Sequence, residues 1–168
     1  MVKAKREIKA EEVEDETMET STTTSTIRLP AVEKEEYARL CTLVNPIATP
    51  LAGRRMAKKI YKLLKSLKDS KDALRSGLSD VMKGLRKEET GIIVLAGDVW
   101  PIDMYSHIPA LCEERQIPYI YTPSKKHLGL SVGFTRPFVA VMIKRTDENA
   151  AVYDDLHEAI KQVDLTIE

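Results

Sequence analysis

The side chains able to do chemistry fall into two sets. The first is acidic and imidazole-bearing. Asp98, Asp103 and His107 follow a five-residue apolar run, Ile92 to Ala96, in the segment GIIVLAGDVWPIDMYSH. Carboxylates just past a strand lie where α/β sheets place their ligands. They also suit a plainer use, Asp98 as a helix cap and Asp103 as a first-turn charge favoured by the helix dipole, and we read them so. His107, four residues after Asp103, reads as an ordinary helix-face residue. His107 and His127 lack a third ligand at useful spacing. The GxxxxGK[ST], GxGxxG, GxSxG and HExxH patterns are absent, and no nucleophile meets a base. The expectation is no enzyme, no cofactor and no metal site.

The second set suits an anionic partner. Gly77-Leu78-Ser79-Asp80 reads as a helix start, with Lys83 one turn on. Backbone N–H groups at a helix start point at phosphate oxygens. Asp80 can accept from base amino or imino groups, and Lys83 supplies positive charge. Simple capping by Ser79 or Asp80 explains the same residues, and spacing leaves both readings open. Trp100, the chain's single tryptophan, suits a stacking platform for a base, a partly buried cap on the core or a protein-interface anchor. The glycine-broken apolar loop Leu128-Gly-Leu-Ser-Val-Gly133 suits either a buried cover or a surface pressed on an unstacked base.

These residues need a scaffold, and the organising unit is Gly91 to Pro123. Two short apolar runs, Ile92 to Ala96 and Tyr119 to Tyr121, flank a helix-period segment. Neither run alternates, as expected of strands covered on both faces. That predicts a parallel pair joined by a right-handed crossover. Pro101 suits the first turn of the intervening helix, and Pro109 is expected to kink or split it. Before this unit the pattern predicts helices over 33–44 (Tyr37, Leu40 and Leu43 inward) and 51–67 (Met56, Ile60, Leu63, Leu64 and Leu67 inward). It then predicts an edge strand at 73–75 and a helix to about Lys87. After it come a short helix capped by Ser124 and broken by Gly129 and Gly133, a strand over 138–143, and a helix over 149–163 with Val152, Leu156, Ile160 and Val163 in one stripe. The sum is an α/β fold, a three-layer α/β/α sandwich with a central mixed sheet of about four strands.

The 168 residues suit one domain, 33–168, behind an acidic, Ser/Thr-rich tail at 1–32 that is expected to be disordered. A hydrophobic content of 43% suffices for a core, and a net charge of zero argues by itself against a nucleic-acid binder. The average hides segregation. Ala52 to Lys87 carries twelve basic and three acidic residues, net +9, while Met1 to Glu36 is net −4 and Glu88 to Glu168 is net −6. In 51–67 the basic residues cover one helical face without interleaved acids, unlike a merely soluble helix. That points to a polyanion-facing surface. Cys41 and Cys112 are too far apart, among apolar neighbours, to suggest a disulfide framework. No apolar run approaches the length of a membrane span or a secretory leader, so a cytosolic or nuclear protein is expected.

Several blocks resemble one family. Gly91-Ile-Ile-Val-Leu-Ala-Gly-Asp98, Pro101-Ile-Asp103, His107-Ile-Pro109, Leu111-Cys-Glu-Glu114, Ile117-Pro-Tyr-Ile-Tyr121, Ser124-Lys125 and Leu128-Gly129 are similar to the kink-turn RNA-binding ribosomal-protein family, over roughly 37–163. Asn45-Pro-Ile47, Pro50-Leu-Ala52 and Arg54-Arg55 look most like its box H/ACA ribonucleoprotein branch. The resemblance implies a non-catalytic role. The family's Gly-x-Asn-Glu-x-x-Lys helix start, which binds sheared G·A pairs, falls on Gly77, Ser79, Asp80 and Lys83. Ser79 in place of Asn removes an amide that both donates and accepts, and Asp80 reaches less far than Glu, so weaker kink-turn specificity is expected. The family's nucleotide clamp falls on Leu128, Gly129, Leu130 and Ser131, with Leu130 where many members carry Arg. Trp100 and Met104 fall where relatives touch the extruded base.

The resemblance further implies partners and place: a box H/ACA guide RNA, a pseudouridine synthase catalytic subunit, two small accessory ribonucleoprotein subunits, and the nucleolus, with no membrane. The alternatives are a box C/D or ribosomal member of the same family, a small α/β enzyme using Asp98 and Asp103, and a protein adaptor that does not touch RNA.

Overall fold

The computed structural model describes residues 34–70, 72–147 and 149–164. The expected tail at 1–32 lies outside them. The elements run α1 (Lys34–Cys41), α2 (Arg54–Leu67), β1 (Leu74–Ser76), α3 (Leu78–Arg86), β2 (Ile92–Ala96), a 3-10 turn (Ile102–Met104), α4 (His107–Glu114), β3 (Tyr119–Thr122), α5 (Lys125–Val132), β4 (Ala140–Ile143) and α6 (Ala150–Asp164).

The sheet has four strands in the order β1-β4-β2-β3. β2 and β3 are parallel, with Val94 opposite Ile120, and β4 runs antiparallel to both β2 and β1. The mixed sheet is therefore as expected. All five residues of β2 and all four of β4 are buried, which explains their unbroken apolar runs. Helices α2, α5 and α6 pack together on one side, and α3 lies against β1 and β4. On that second side Arg115 at the end of α4 donates to the Leu85 carbonyl at the end of α3. The result is three layers, α/β/α. Among the described residues no helix is long and apolar enough to cross a membrane.

Several boundaries differ from expectation, each for a local reason. α2 starts at Arg54 because Leu51 is held in a parallel bridge with Tyr121, extending the sheet beyond β3. Its inner face includes Ala57 and Tyr61 as well as the aliphatic residues. β1 is shifted one residue, to Leu74–Ser76. β4 starts at Ala140 because the Phe138 N–H turns away to the Lys125 carbonyl. The segment after Pro101 splits before Pro109, not at it: Pro109 sits in the first turn of α4, where its missing N–H costs nothing. The buried stripe of α6 is Tyr153, Leu156 and Ile160, whereas Val152 is 46% exposed. Leu43 is also exposed. Cys112 is fully buried, and burial pushes its thiol up to about 12, so it stays protonated and unreactive.

Candidate nucleic-acid interface

Because β4 is antiparallel to both neighbours, β1, β2 and β3 all run the same way. Their C-terminal ends, at Ser76, Ala96 and Thr122, therefore open on one edge of the sheet, together with the start of β4. Each strand end feeds one piece of the candidate site onto this edge. β1 leads into the α3 start, β2 into the turn carrying Trp100, and β3 into α5.

Hydrogen bonds tie the pieces together. The Gly77 N–H donates to the Ala140 carbonyl at 2.9 Å, and the Phe138 N–H donates to the Lys125 carbonyl at 3.2 Å. The Lys125 N–H donates to Asp98 Oδ1 at 2.7 Å, and Lys125 Nζ reaches the Asp98 carbonyl at 3.2 Å. Asp98 thus caps α5 from across the edge, not the helix that follows it in sequence. On the other side of the same turn, buried Asn45 donates through Nδ2 to the Val99 carbonyl at 2.6 Å and to the Tyr105 hydroxyl at 2.9 Å. The turn before Trp100 is consequently held from both flanks.

The start of α3 is built by Gly77. Its φ of 102° lies where side-chain-bearing residues are strained and glycine is not, and the Phe138 ring lies over it, 3.6 Å from where a Cβ would stand, an ordinary contact distance. Gly77 is itself the N-cap, and no side chain caps this helix. The capping explanation of Ser79 and Asp80 is therefore withdrawn. Both face solvent in the first turn, where the backbone N–H groups have no intrahelical acceptor. Lys83 is also exposed, and its ammonium lies 3.2 Å from Asp80 Oδ1. Trp100 is 68% exposed and Met104 48% exposed. An exposed tryptophan is not a cap on the core, so that reading of Trp100 falls too.

The expected loop at 128–133 is corrected. These residues form the second half of α5, which runs through Gly129 and ends at Gly133 in the left-handed region, φ 95°. Leu128 and Ser131 are fully buried, and Gly129 is also buried. The Ser131 hydroxyl is spent on the His127 carbonyl at 2.6 Å. Gly129 permits close packing: a Cβ there would lie 2.2 Å from the Arg136 carbonyl oxygen. Of the four clamp residues only Leu130 keeps partial exposure. Sequence reasoning missed Phe134. It is 44% exposed and packs edge-on against Phe138, the ring that covers Gly77, with centroids 5.3 Å apart. An aromatic directly after a helix-ending glycine was the available signal.

An α/β/α scaffold with exposed polar and aromatic groups collected on the strand-end edge offers a surface suited to a nucleic acid. Residues 58–153 match the Ribosomal protein L7Ae/L30e/S12e/Gadd45 family, and the chain belongs to that family. At finer grain it is 49% identical to a Caenorhabditis elegans H/ACA ribonucleoprotein complex subunit 2-like protein, covering 92% of this chain and 95% of the relative. It is 44% identical to the Drosophila melanogaster H/ACA ribonucleoprotein complex subunit 2, covering 80% and 84%. Among solved structures, the Giardia lamblia 15.5kD RNA binding protein superposes with a TM-score of 0.66 at 23% identity, covering 71% of this chain and 99% of that one. This last likeness speaks for the fold.

Proposed function

We propose that the chain is a non-catalytic RNA-binding core subunit of a box H/ACA small nucleolar ribonucleoprotein. In that role it supports guide-RNA-directed pseudouridylation of rRNA, and so ribosome biogenesis, in the nucleolus. The carrying observation is 49% identity over nearly the full length of a relative that bears the H/ACA subunit name. Residues 33–168 act as one RNA-binding domain behind an acidic tail. The partners are a box H/ACA guide RNA, the pseudouridine synthase catalytic subunit and two small accessory proteins.

The edge supplies the RNA-binding surface. Gly77 lets the backbone approach closely, Asp80 accepts from base amino or imino groups, and Ser79 adds a short hydroxyl. Lys83 neutralises Asp80 in the free protein and a phosphate in the complex. Trp100 and Met104 offer exposed faces to an extruded base, with Leu130 and Phe134 at the α5 end. Leu128, Gly129 and Ser131 contribute from beneath, by fixing where Leu130 and the 134–137 segment lie. Without an Asn amide at position 79, kink-turn specificity is weak, and phosphate contacts and protein partners supply the rest.

Affinity for a box H/ACA guide-RNA hairpin tests the reading. The double substitution Asp80→Ala with Lys83→Ala weakens binding while the fold persists, since both side chains are exposed. Unchanged affinity rejects the site. Sequencing RNAs recovered with the protein from cells tests the family branch, and box C/D or ribosomal RNAs there would reject it.

A further inference from the structure

Helix α2 carries five exposed basic residues, Arg55, Lys58, Lys59, Lys62 and Lys65, its C-cap Lys68 adds a sixth, and there is no acid within its 14 residues. Of these six, only Lys68 forms an ion pair among the described residues, a loose one with Asp69 at 4.0 Å. One acid of α6, Asp155, lies beside this helix. It shares with Lys59 and Lys62 a groove of about 280 Å³ floored by Leu63 and Leu156, and it forms an ion pair with neither lysine. Unpaired like charges at i, i+3 and i+4 repel one another and destabilise the isolated helix. The fold tolerates that cost because the opposite face buries Ile60, Leu63, Leu64 and Leu67.

The position of this ridge is set by the sheet. Leu51 bridges Tyr121 in parallel, and the Ala52 N–H donates to the Tyr121 carbonyl. The chain therefore arrives at the same strand-end edge as Asp98 and Trp100, turns at Gly53 and starts α2 there. From that edge the helix extends about 21 Å at 1.5 Å per residue. Its basic residues recur at about one helical pitch, roughly 5.4 Å.

We propose that the outer face of α2 is a second RNA-contacting surface, a sequence-independent rail for the phosphate backbone of a duplex leaving the strand-end edge. It rests on the RNA-binding reading above. The edge holds the RNA at one place, and the rail fixes the direction in which the adjoining stem departs. Lysine and arginine at successive turns, without interleaved carboxylates, neutralise phosphates and release counterions without reading bases.

The test compares the full chain with Lys58→Gln/Lys62→Gln/Lys65→Gln on two hairpins that share one loop and differ in stem length. Lengthening the stem raises wild-type affinity and steepens its salt dependence. The triple variant loses most of that gain, and its log K against log salt slope on the long stem is shallower by about 2 to 3, three phosphate contacts at about 0.7–0.9 each. A variant that gains as much from the longer stem as wild type overturns the rail. So does a variant whose RNA binding is intact but which no longer retains a protein subunit. If wild type binds neither hairpin, the RNA-binding reading itself fails. If Asp80→Ala/Lys83→Ala binds weakly while the triple variant matches wild type, only the rail fails.

Discussion

Asp98 and Lys125 are 27 positions apart, yet the Asp98 carboxylate accepts the Lys125 N–H at 2.7 Å. One acidic side chain thereby joins the end of β2 to the start of α5. Lys125 passes the link on, because its carbonyl accepts the Phe138 N–H and the Phe138 ring covers Gly77. A short chain of contacts thus runs from the Trp100 turn to the α3 start.

Loss of this cap is expected to loosen the edge. Asp98→Ala lowers stability by about 1 kcal/mol, the usual cost of removing a capping acceptor. That corresponds to roughly 3–5 °C in Tm for a domain of this size. Asp98→Asn keeps an oxygen for the Lys125 N–H and recovers most of the loss. Thermal melts of the two variants check this. Equal Tm values would mean that charge and not the hydrogen bond matters.

Trp100 is too exposed to contribute much to the core. Trp100→Ala is expected to leave Tm nearly unchanged, within the range of about 0.5 kcal/mol typical of surface substitutions. In guide-RNA binding the same substitution costs about 1–3 kcal/mol, the range for an aromatic on which a base stacks. A paired measurement of Tm and Kd separates the two roles. A large fall in Tm with unchanged Kd would return Trp100 to the scaffold.

Acid sensitivity is expected from Glu89. Arg75 grips its carboxylate through Nε and the terminal nitrogen, and Lys144 Nζ lies 2.9 Å away. These partners, Arg75 foremost, lower its pKa from 4.5 to about 2. A depressed folded-state pKa stabilises the fold above the unfolded value, and that stability is lost as pH falls from about 4.5 towards 2. Denaturant unfolding at pH 6 and pH 3 reads it directly. Glu89→Gln is less stable than wild type at pH 6, and the gap narrows at pH 3.

Much of the architecture was legible locally. The unbroken apolar runs at 92–96 and 119–121 announced strands covered on both faces, and both exist as parallel neighbours. The helical period of 51–67 named four of the buried positions of α2, since a 3.6-residue period depends only on which side chains avoid water. Boundaries were less legible because long-range bonds set them. Leu51 looks like a helix residue until Tyr121 claims it, and Phe138 looks like a strand residue until Lys125 does. The same held at the candidate site. Ser79 reads equally as a cap until Gly77 is seen to occupy that position. Leu128 to Gly133 reads as a loop because two glycines lower helix propensity, but Gly129 is present to admit the Arg136 backbone, a contact visible only in three dimensions.

The sequence by itself determined the layer class, the apolar faces, the basic block at 52–87 and the residue types offered to an anionic partner, because periodicity and charge are local properties of the chain. Tertiary structure alone decided which of those residues share an edge. That follows from strand direction: with β4 antiparallel between β1 and β2, three strand ends fall on one side, bringing Ser79, Asp98, Trp100 and Lys125 to one rim. It also decided that Leu128 and Ser131 face inward, since burial depends on what a distant segment lays over them.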